Sequence, residues 1–310
     1  VFEALKQKLQ TGRYVTLETT PSHSASYQGI IDTISRLGLA EKVDGFSTTD
    51  NPLAKLKYNS LFAAMRLQQA FGKPVLATIS MRDRNRIALQ SDLLGANEAD
   101  VRAILALTGD SAKMSDQKEA KGVFESDSTL LLDIIRRFNA GTDLQGKAFA
   151  VAPKPILPFA VINSFARNPK SLQKKMLKKI EHGAVGIITQ PVYDIETAKV
   201  LLELIGDANA VHGTQTQLIL GLFPITSLRT AQFLDANVPG IHVPSYWIET
   251  LQYARTPEDA SKAGFDLSKR LYEEIMAVHP KVHLMTANRF ELAKEILGEQ
   301  EDGTSTLPPN

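Results

Sequence analysis

Eight short apolar runs alternate with longer segments of helical spacing along the 310-residue chain, and this alternation constrains the fold more than any other feature. The runs are Tyr14 to Glu18, Gly45 to Thr48, Val75 to Ser80, Ala103 to Leu107, Phe159 to Asn163, Val185 to Thr189, Leu218 to Leu222 and Val282 to Met285. Most are nearly continuous in apolar character, as parallel strands covered on both faces require. Between them, sets such as Leu131, Ile134, Ile135 and Phe138, or Leu172, Met176 and Ile180, carry the helical period. Strands separated by helices, with no shift in composition between the halves, predict a closed (β/α)8 TIM barrel, an α/β fold forming a single domain. An open doubly wound sheet would normally show a glycine-rich phosphate fingerprint after its first strand, whereas here that strand runs into ETTPSHS. The barrel is expected over residues 1–300, with the polar 301–310, EDGTSTLPPN, as a flexible tail. At the other end, Phe2, Leu5 and Leu9 mark one side of a short amphipathic helix, and HVPSYW (242–247) reads as an elaborated βα segment.

Bulk properties narrow the chemistry. With 35 basic and 34 acidic side chains the formal charge is +1, so no global field favours nucleic acid or an anionic membrane. Cysteine is absent, which removes disulfides, thiolate metal sites and a cysteine nucleophile together. No apolar stretch approaches the ~18 residues of a membrane span, and the first residues lack a signal-like apolar region. A cytoplasmic protein acting on small molecules is the expectation.

Three local patterns invite functional readings. Gly141 to Ala148 has the spacing of a phosphate loop, but Ala148 stands where a magnesium-holding hydroxyl belongs, and a helix precedes the segment instead of a strand. It reads as a helix stop and a turn. Six histidines are scattered, and only His279 and His283 lie four apart, beside Pro280 and a strand, so each reads as a surface or hydrogen-bonded histidine and no metal is expected. Arg82-Asp83-Arg84-Asn85-Arg86 follows the third strand, either as a turn with Asp83 or Asn85 capping the next helix or as an anion site at that helix's N-terminus. In helix 171–182, Lys179 borders the buried stripe, where its stem can lie on the barrel and its ammonium reach a ligand rim.

Strand ends face the mouth of such a barrel, where substrates bind. Read in order they give Glu18, Thr49-Asp50-Asn51, Ser80, Thr108-Gly109-Asp110, Asn168 and Gln190-Pro191. Glu18 alone could mark where solvent begins, and Asp110 alone could be a helix cap. Two carboxylates, a glutamine and a threonine converging on one mouth point to a site.

The segments VTLETTP (15–21), TTDNP (48–52), RDRNRIALQSDLLGA (82–96), ILALTGD (104–110), ARNP (166–169), GIITQPVYD (186–194), GLFPIT (221–226) and HLMTANR (283–289), in this order and spacing, resemble the methylenetetrahydrofolate reductase family across essentially the whole chain. The resemblance implies a flavin in the barrel mouth, with NADH or NADPH and the folate visiting the same face in turn. Hydride passes to flavin N5 and on to the one-carbon bridge of 5,10-methylenetetrahydrofolate, giving 5-methyltetrahydrofolate. Opening that bridge needs a proton on N10, the role the resemblance gives Glu18. Asp110 matches the aspartate between pterin and flavin, Gln190 a residue positioning pterin and cofactor, and Arg289 an arginine bordering the mouth. The expected catalytic pair is thus Glu18 and Asp110. Cofactor contacts are expected from Thr49, Thr78, Asp110, Asn168 and Lys179, and substrate contacts from Glu18, Asp110, Gln190 and Arg289.

The sequence also departs from the family. Many members carry histidine where this chain has Thr78, and a tyrosine and a histidine after the fifth strand, where NSFARNP has neither. FAD is the commoner family cofactor, some multi-subunit relatives use FMN, and a few use no flavin and transfer hydride directly. Besides an NAD(P)H-dependent reductase, two other readings stay open: a flavin- or folate-binding subunit that needs a partner chain, and another pterin-binding barrel such as a methyl transferase. A homo-oligomer is an expectation by family analogy only.

Overall fold

The computed structural model describes residues 2–298; the expected tail at 301–310 lies outside the described residues. Helix α1 (Phe2–Thr11) precedes strand β1 (Tyr14–Thr19). Then follow α2 (Gln28–Arg36), α3 (Leu39–Lys42), β2 (Gly45–Thr48), α4 (Ser60–Phe71), β3 (Val75–Ser80), α5 (Arg86–Glu98) and β4 (Ala103–Leu107). The next units are α6 (Ser128–Asn139), β5 (Leu157–Ile162), α7 (Pro169–Glu181), β6 (Gly186–Pro191), α8 (Ile195–His212) and β7 (Gln217–Leu222). The chain continues through α9 (Leu228–Asn237), α10 (Ser245–Gln252), α11 (Pro257–Val278), β8 (Lys281–Leu284) and α12 (Phe290–Leu297). The strands close in sequence order, and β1 pairs in parallel with β8 through Tyr14 to Leu17 against Lys281 to Leu284. This is the TIM barrel that the alternation predicts.

All eight expected strands form, with small shifts of boundary. The shifts reach two residues at the start of β5, where Pro158 lacks an N–H but its carbonyl accepts from Val185 N, and at the end of β6, which runs on to Pro191. Helices that leave the mouth are started by side chains that satisfy free N–H groups: Asn59 for α4, Asn85 for α5, Asp127 for α6, Asp194 for α8 and Ser227 for α9. Gly141 and Gly146 take positive φ in a turn closed by the bridge between Thr142 and Ala148, as expected for that segment. HVPSYW leads into α10, where Trp247 is buried and donates its indole N–H to the Tyr193 carbonyl at 2.8 Å.

Two apolar cores result from the alternation of side chains along each strand. Outward-facing Val15, Leu17, Phe46, Ala77 and Ile104 pack under the helices. Inside the barrel, Leu105, Phe159, Ile188 and Ile219 form a second cluster, which Phe2, Leu5 and Leu9 of α1 join. Helix α1 therefore plugs the end where the strands begin. Tyr14 of β1 and Leu76 of β3 also belong to this cluster, but one inward step further along β1 and β3, and on β2 and β8, the interior turns polar with Thr16, Thr78, Ser47 and His283, all buried. Among the described residues no helix is long and apolar enough to cross a membrane.

Candidate active site

Burying a polar group without a partner is costly, and the polar side of this interior leads upward to a cavity of about 500 Å³ at the C-terminal ends of the strands. Glu18 faces it from β1, its side chain 22% exposed. Thr49 lies just past β2, Thr78 on β3, Asp110 three residues beyond β4, and Gln190 on β6. Their convergence follows from the parallel barrel, in which every strand delivers its last inward side chains to the same face. Opposite them, Leu105, Leu107, Val161 and Ile188 form an apolar wall. A polar edge facing a greasy wall suits a flat heteroaromatic ligand. A second hollow of about 350 Å³ lies near the strand starts, beside Leu9, Val185 and Gln217, and none of the expected residues lines it.

Two of these groups are tied to the protein and one is not. Glu18 Oε2 lies 3.6 Å from His283 Nε2, and His283 Nδ1 shares a 2.8 Å hydrogen bond with Thr16 Oγ1. Asp110 Oδ2 accepts the Leu53 backbone N–H at 2.6 Å. Leu53 and its neighbours Asn51 and Ala54 have positive φ, a conformation that costs a non-glycine residue about 1–3 kcal/mol and that clusters at ligand clamps. Thr49 Oγ1, by contrast, is buried with no hydrogen-bond partner among the described residues.

The arginine cluster is built differently from an anion site. Arg84 is buried and donates to Asp50 at 2.6 Å and to Asp92 at 2.7 Å. Burial alone would draw its proton affinity down, but the two carboxylates more than offset this and hold the guanidinium above its ordinary value. Asp50 also accepts the Ser80 N–H at 2.9 Å, so this ion pair fixes the end of β3. Arg82 is clamped by Asp83, whose hydrogen bonds raise its pKa. Arg86 pairs with Glu125 at 3.3 Å. The cap reading of this segment holds, with Asn85 Oδ1 accepting from Ala88 N at 2.9 Å.

Three expected residues lie outside the cavity lining. Asn168 caps α7 by accepting from Lys170 N. Lys179 sits between helices, its ammonium on Ser128 Oγ, and burial lowers its pKa against the pull of Asp127. Arg289 donates to Thr226 Oγ1 and the Pro224 carbonyl and lies over the Phe223 ring. None of the three has an acidic side-chain partner among the described residues.

His283 is the residue that sequence reasoning passed over. It reads there as an ordinary hydrogen-bonded histidine, which its bond to Thr16 fits, but it also lines the cavity beneath Glu18. The signal was the period of β8: His283 stands two residues before Met285, on the inward phase.

The sequence model of the family described as methylenetetrahydrofolate reductase matches residues 4–301. No curated protein matches the chain. Among solved structures, an uncharacterized protein from Clostridium thermocellum, described as binding two copies of 5-methyl-5,6,7,8-tetrahydrofolic acid, superposes with a TM-score of 0.61 at 16% identity, covering 94% of this chain and 97% of that one. At that identity the likeness shows the fold. A 2,3-dimethylmalate lyase of the PEP mutase/isocitrate lyase superfamily reaches a TM-score of 0.47 at 11% identity, covering 92% of this chain and 78% of its own, and carries no argument.

Proposed function

The chain belongs to the methylenetetrahydrofolate reductase family, and from that premise we propose that it reduces 5,10-methylenetetrahydrofolate to 5-methyltetrahydrofolate with NAD(P)H, using a flavin held in the barrel mouth. The observation that carries this reading is the cavity itself: Glu18, Asp110 and Gln190 line one mouth against an apolar wall. The methyltetrahydrofolate bound by the structurally similar clostridial protein supports the folate part of the reading.

The residues present fit a flavin. The buried Thr49 Oγ1 lacks a partner, as a group reserved for a ligand's ring edge would, and Leu105, Leu107 and Ile188 offer a surface for a flat ring. FAD is the proposed form, and it would supply relay of hydride from nicotinamide to the one-carbon bridge. The rest falls to the chain. Glu18 holds the proton that N10 must receive for the bridge to open, with His283 and Thr16 beneath it as its positioning support. Asp110 accepts from ring N–H groups of the pterin, and Gln190 orients the same ring. Leaving the Asp110 oxygen that Leu53 does not occupy as the acceptor keeps the loop in place while the ligand binds.

The test is the visible spectrum of the purified protein without oxygen. Yellow protein that bleaches with NADH or NADPH and regains colour with 5,10-methylenetetrahydrofolate is the expected result. Colourless protein that takes up neither FAD nor FMN would overturn the flavin reading, and flavin that NAD(P)H reduces but the folate does not reoxidise would overturn the substrate.

A further inference from the structure

Two charged side chains of the mouth take no part in the proposed reaction: Asp50, which is paired with Arg84, and Arg82. Arg82 lines the cavity and is 3% exposed. Its Nε and Nη2 donate to Asp83 at 2.7 and 2.6 Å, and Nη2 also donates to the Asn51 carbonyl at 3.1 Å. Among the described residues nothing accepts from Nη1. A guanidinium gripped along one edge presents its remaining N–H groups in a fixed plane, unlike a lysine on a flexible stem. Nη1 therefore keeps its donors available on a side chain that lines the cavity, where an acceptor arriving with a ligand can take them.

The surroundings say what kind of acceptor. Gly109 has φ +92, and a Cβ there would lie 2.7 Å from Ser80 Oγ and 3.1 Å from the Arg82 Cβ. The glycine therefore lets the loop after β4 lie flat on the base of Arg82. That places Asp110, the next residue, beside Arg82 on the neighbouring strand end, and the two charges are close enough for Asp110 to raise the arginine's proton affinity. A donor and an acceptor side by side match a ring edge in which N–H stands next to C=O. Pterins carry this lactam edge, and so does the pyrimidine ring of a flavin.

Resting on the folate and flavin reading above, we propose that Arg82 is a ligand-binding residue, its Nη1 donating to the lactam carbonyl of the pterin or flavin ring that lies beside Asp110. Asp83 then acts as a positioning residue that fixes the plane of the guanidinium.

The experiment compares the wild-type chain with Arg82→Met, Arg82→Lys and Asp83→Asn. FAD affinity is measured by fluorescence quenching and 5-methyltetrahydrofolate affinity by titration of the flavin-loaded protein, each beside a thermal midpoint. Arg82→Met should weaken one of the two ligands at least ~10-fold, the scale of a hydrogen bond to a charged group, with the midpoint little changed. Loss confined to FAD assigns the flavin carbonyl, and loss confined to the folate assigns the pterin carbonyl. Arg82→Lys should recover only part of the affinity, and Asp83→Asn should lose part of it for the same ligand. Unchanged affinities in folded Arg82→Met overturn the inference alone. Equal weakening of both ligands with a fallen midpoint also overturns it, since that marks a structural staple. If Arg82→Met does not fold, Arg82→Lys decides on the same readouts. Wild-type protein that binds neither ligand would overturn the functional reading and this inference with it.

Discussion

His283 Nε2 stands 3.6 Å from Glu18 Oε2 while its other ring nitrogen is bonded to Thr16 Oγ1 at 2.8 Å, so one buried histidine of β8 meets two residues of β1 across the barrel seam. The imidazole ring is thereby fixed in orientation under the carboxyl group. If it serves to position Glu18, His283→Asn should slow folate reduction about 10-fold and leave reduction of the flavin by NADH near wild type. In Glu18→Gln/His283→Asn the two effects should not add, because the histidine acts through the glutamate. A double variant slower than Glu18→Gln by the full single-variant factor would remove His283 from this role.

Glu18→Gln retains the shape of the side chain but cannot deliver a proton. Flavin reduction by NADH should be nearly intact, and the folate half-reaction should slow by at least ~10²-fold. Stopped-flow measurement of each half-reaction checks this, and an unchanged folate rate would take the general-acid role from Glu18.

Asp110→Asn should impair folate reduction and make flavin reduction easier, because a negative charge beside the ring opposes added electrons. The variant should remain as stable as wild type, since the amide oxygen can still accept from Leu53 N–H. Wild-type kinetics in both half-reactions would refute the assignment.

Gly221 lies on the inward face of β7, and a Cβ there would sit 2.3 Å from the Thr189 carbonyl oxygen and 3.0 Å from the Gln190 carbonyl carbon. Backbone cannot yield as a flexible side chain can, so Gly221→Ala should cost about 2–3 kcal/mol and push Gln190 out of position. Thermal unfolding measures the first effect and folate affinity the second. A variant with wild-type values for both would show that the barrel wall adapts.

His279 Nε2 donates to the Leu218 carbonyl at 2.7 Å, and burial lowers its pKa below the ordinary 6.5 against the opposing effect of that bond. Because the folded value is the lower one, the unfolded chain takes up a proton first as pH falls. The stabilisation from the neutral ring is therefore complete above about pH 6.5 and declines below it. Wild-type protein should lose more stability between about pH 7 and pH 5 than His279→Gln does. Denaturant unfolding at the two pH values decides, and parallel losses would contradict the assignment.

The clamp on Arg84 shows how a pattern legible in sequence acquires another meaning in three dimensions. RDRNR after a strand reads either as a cap or as an anion site, and local spacing cannot choose between them. The choice is made by Asp50, which comes from the end of β2 and meets Arg84 only when β2 and β3 pair. Lys179 and Arg289 teach the converse. Their positions match a motif, but their ammonium and guanidinium groups are directed to Ser128 and to the Pro224 and Thr226 segment by helix packing and loop course.

By itself the sequence determined the eight strands, the closed barrel and the set of side chains that end the strands, because strand and helix periods are local properties of the chain and a parallel barrel sends every strand end to one face. Only the tertiary structure decided which of those groups share a cavity, that Leu53 holds Asp110, that Arg82 keeps an edge free, and that His283 lies under Glu18. The reason is distance along the chain. Thr16 and His283 are 267 residues apart, and their contact exists only because closure of the barrel pairs β1 with β8 in one register.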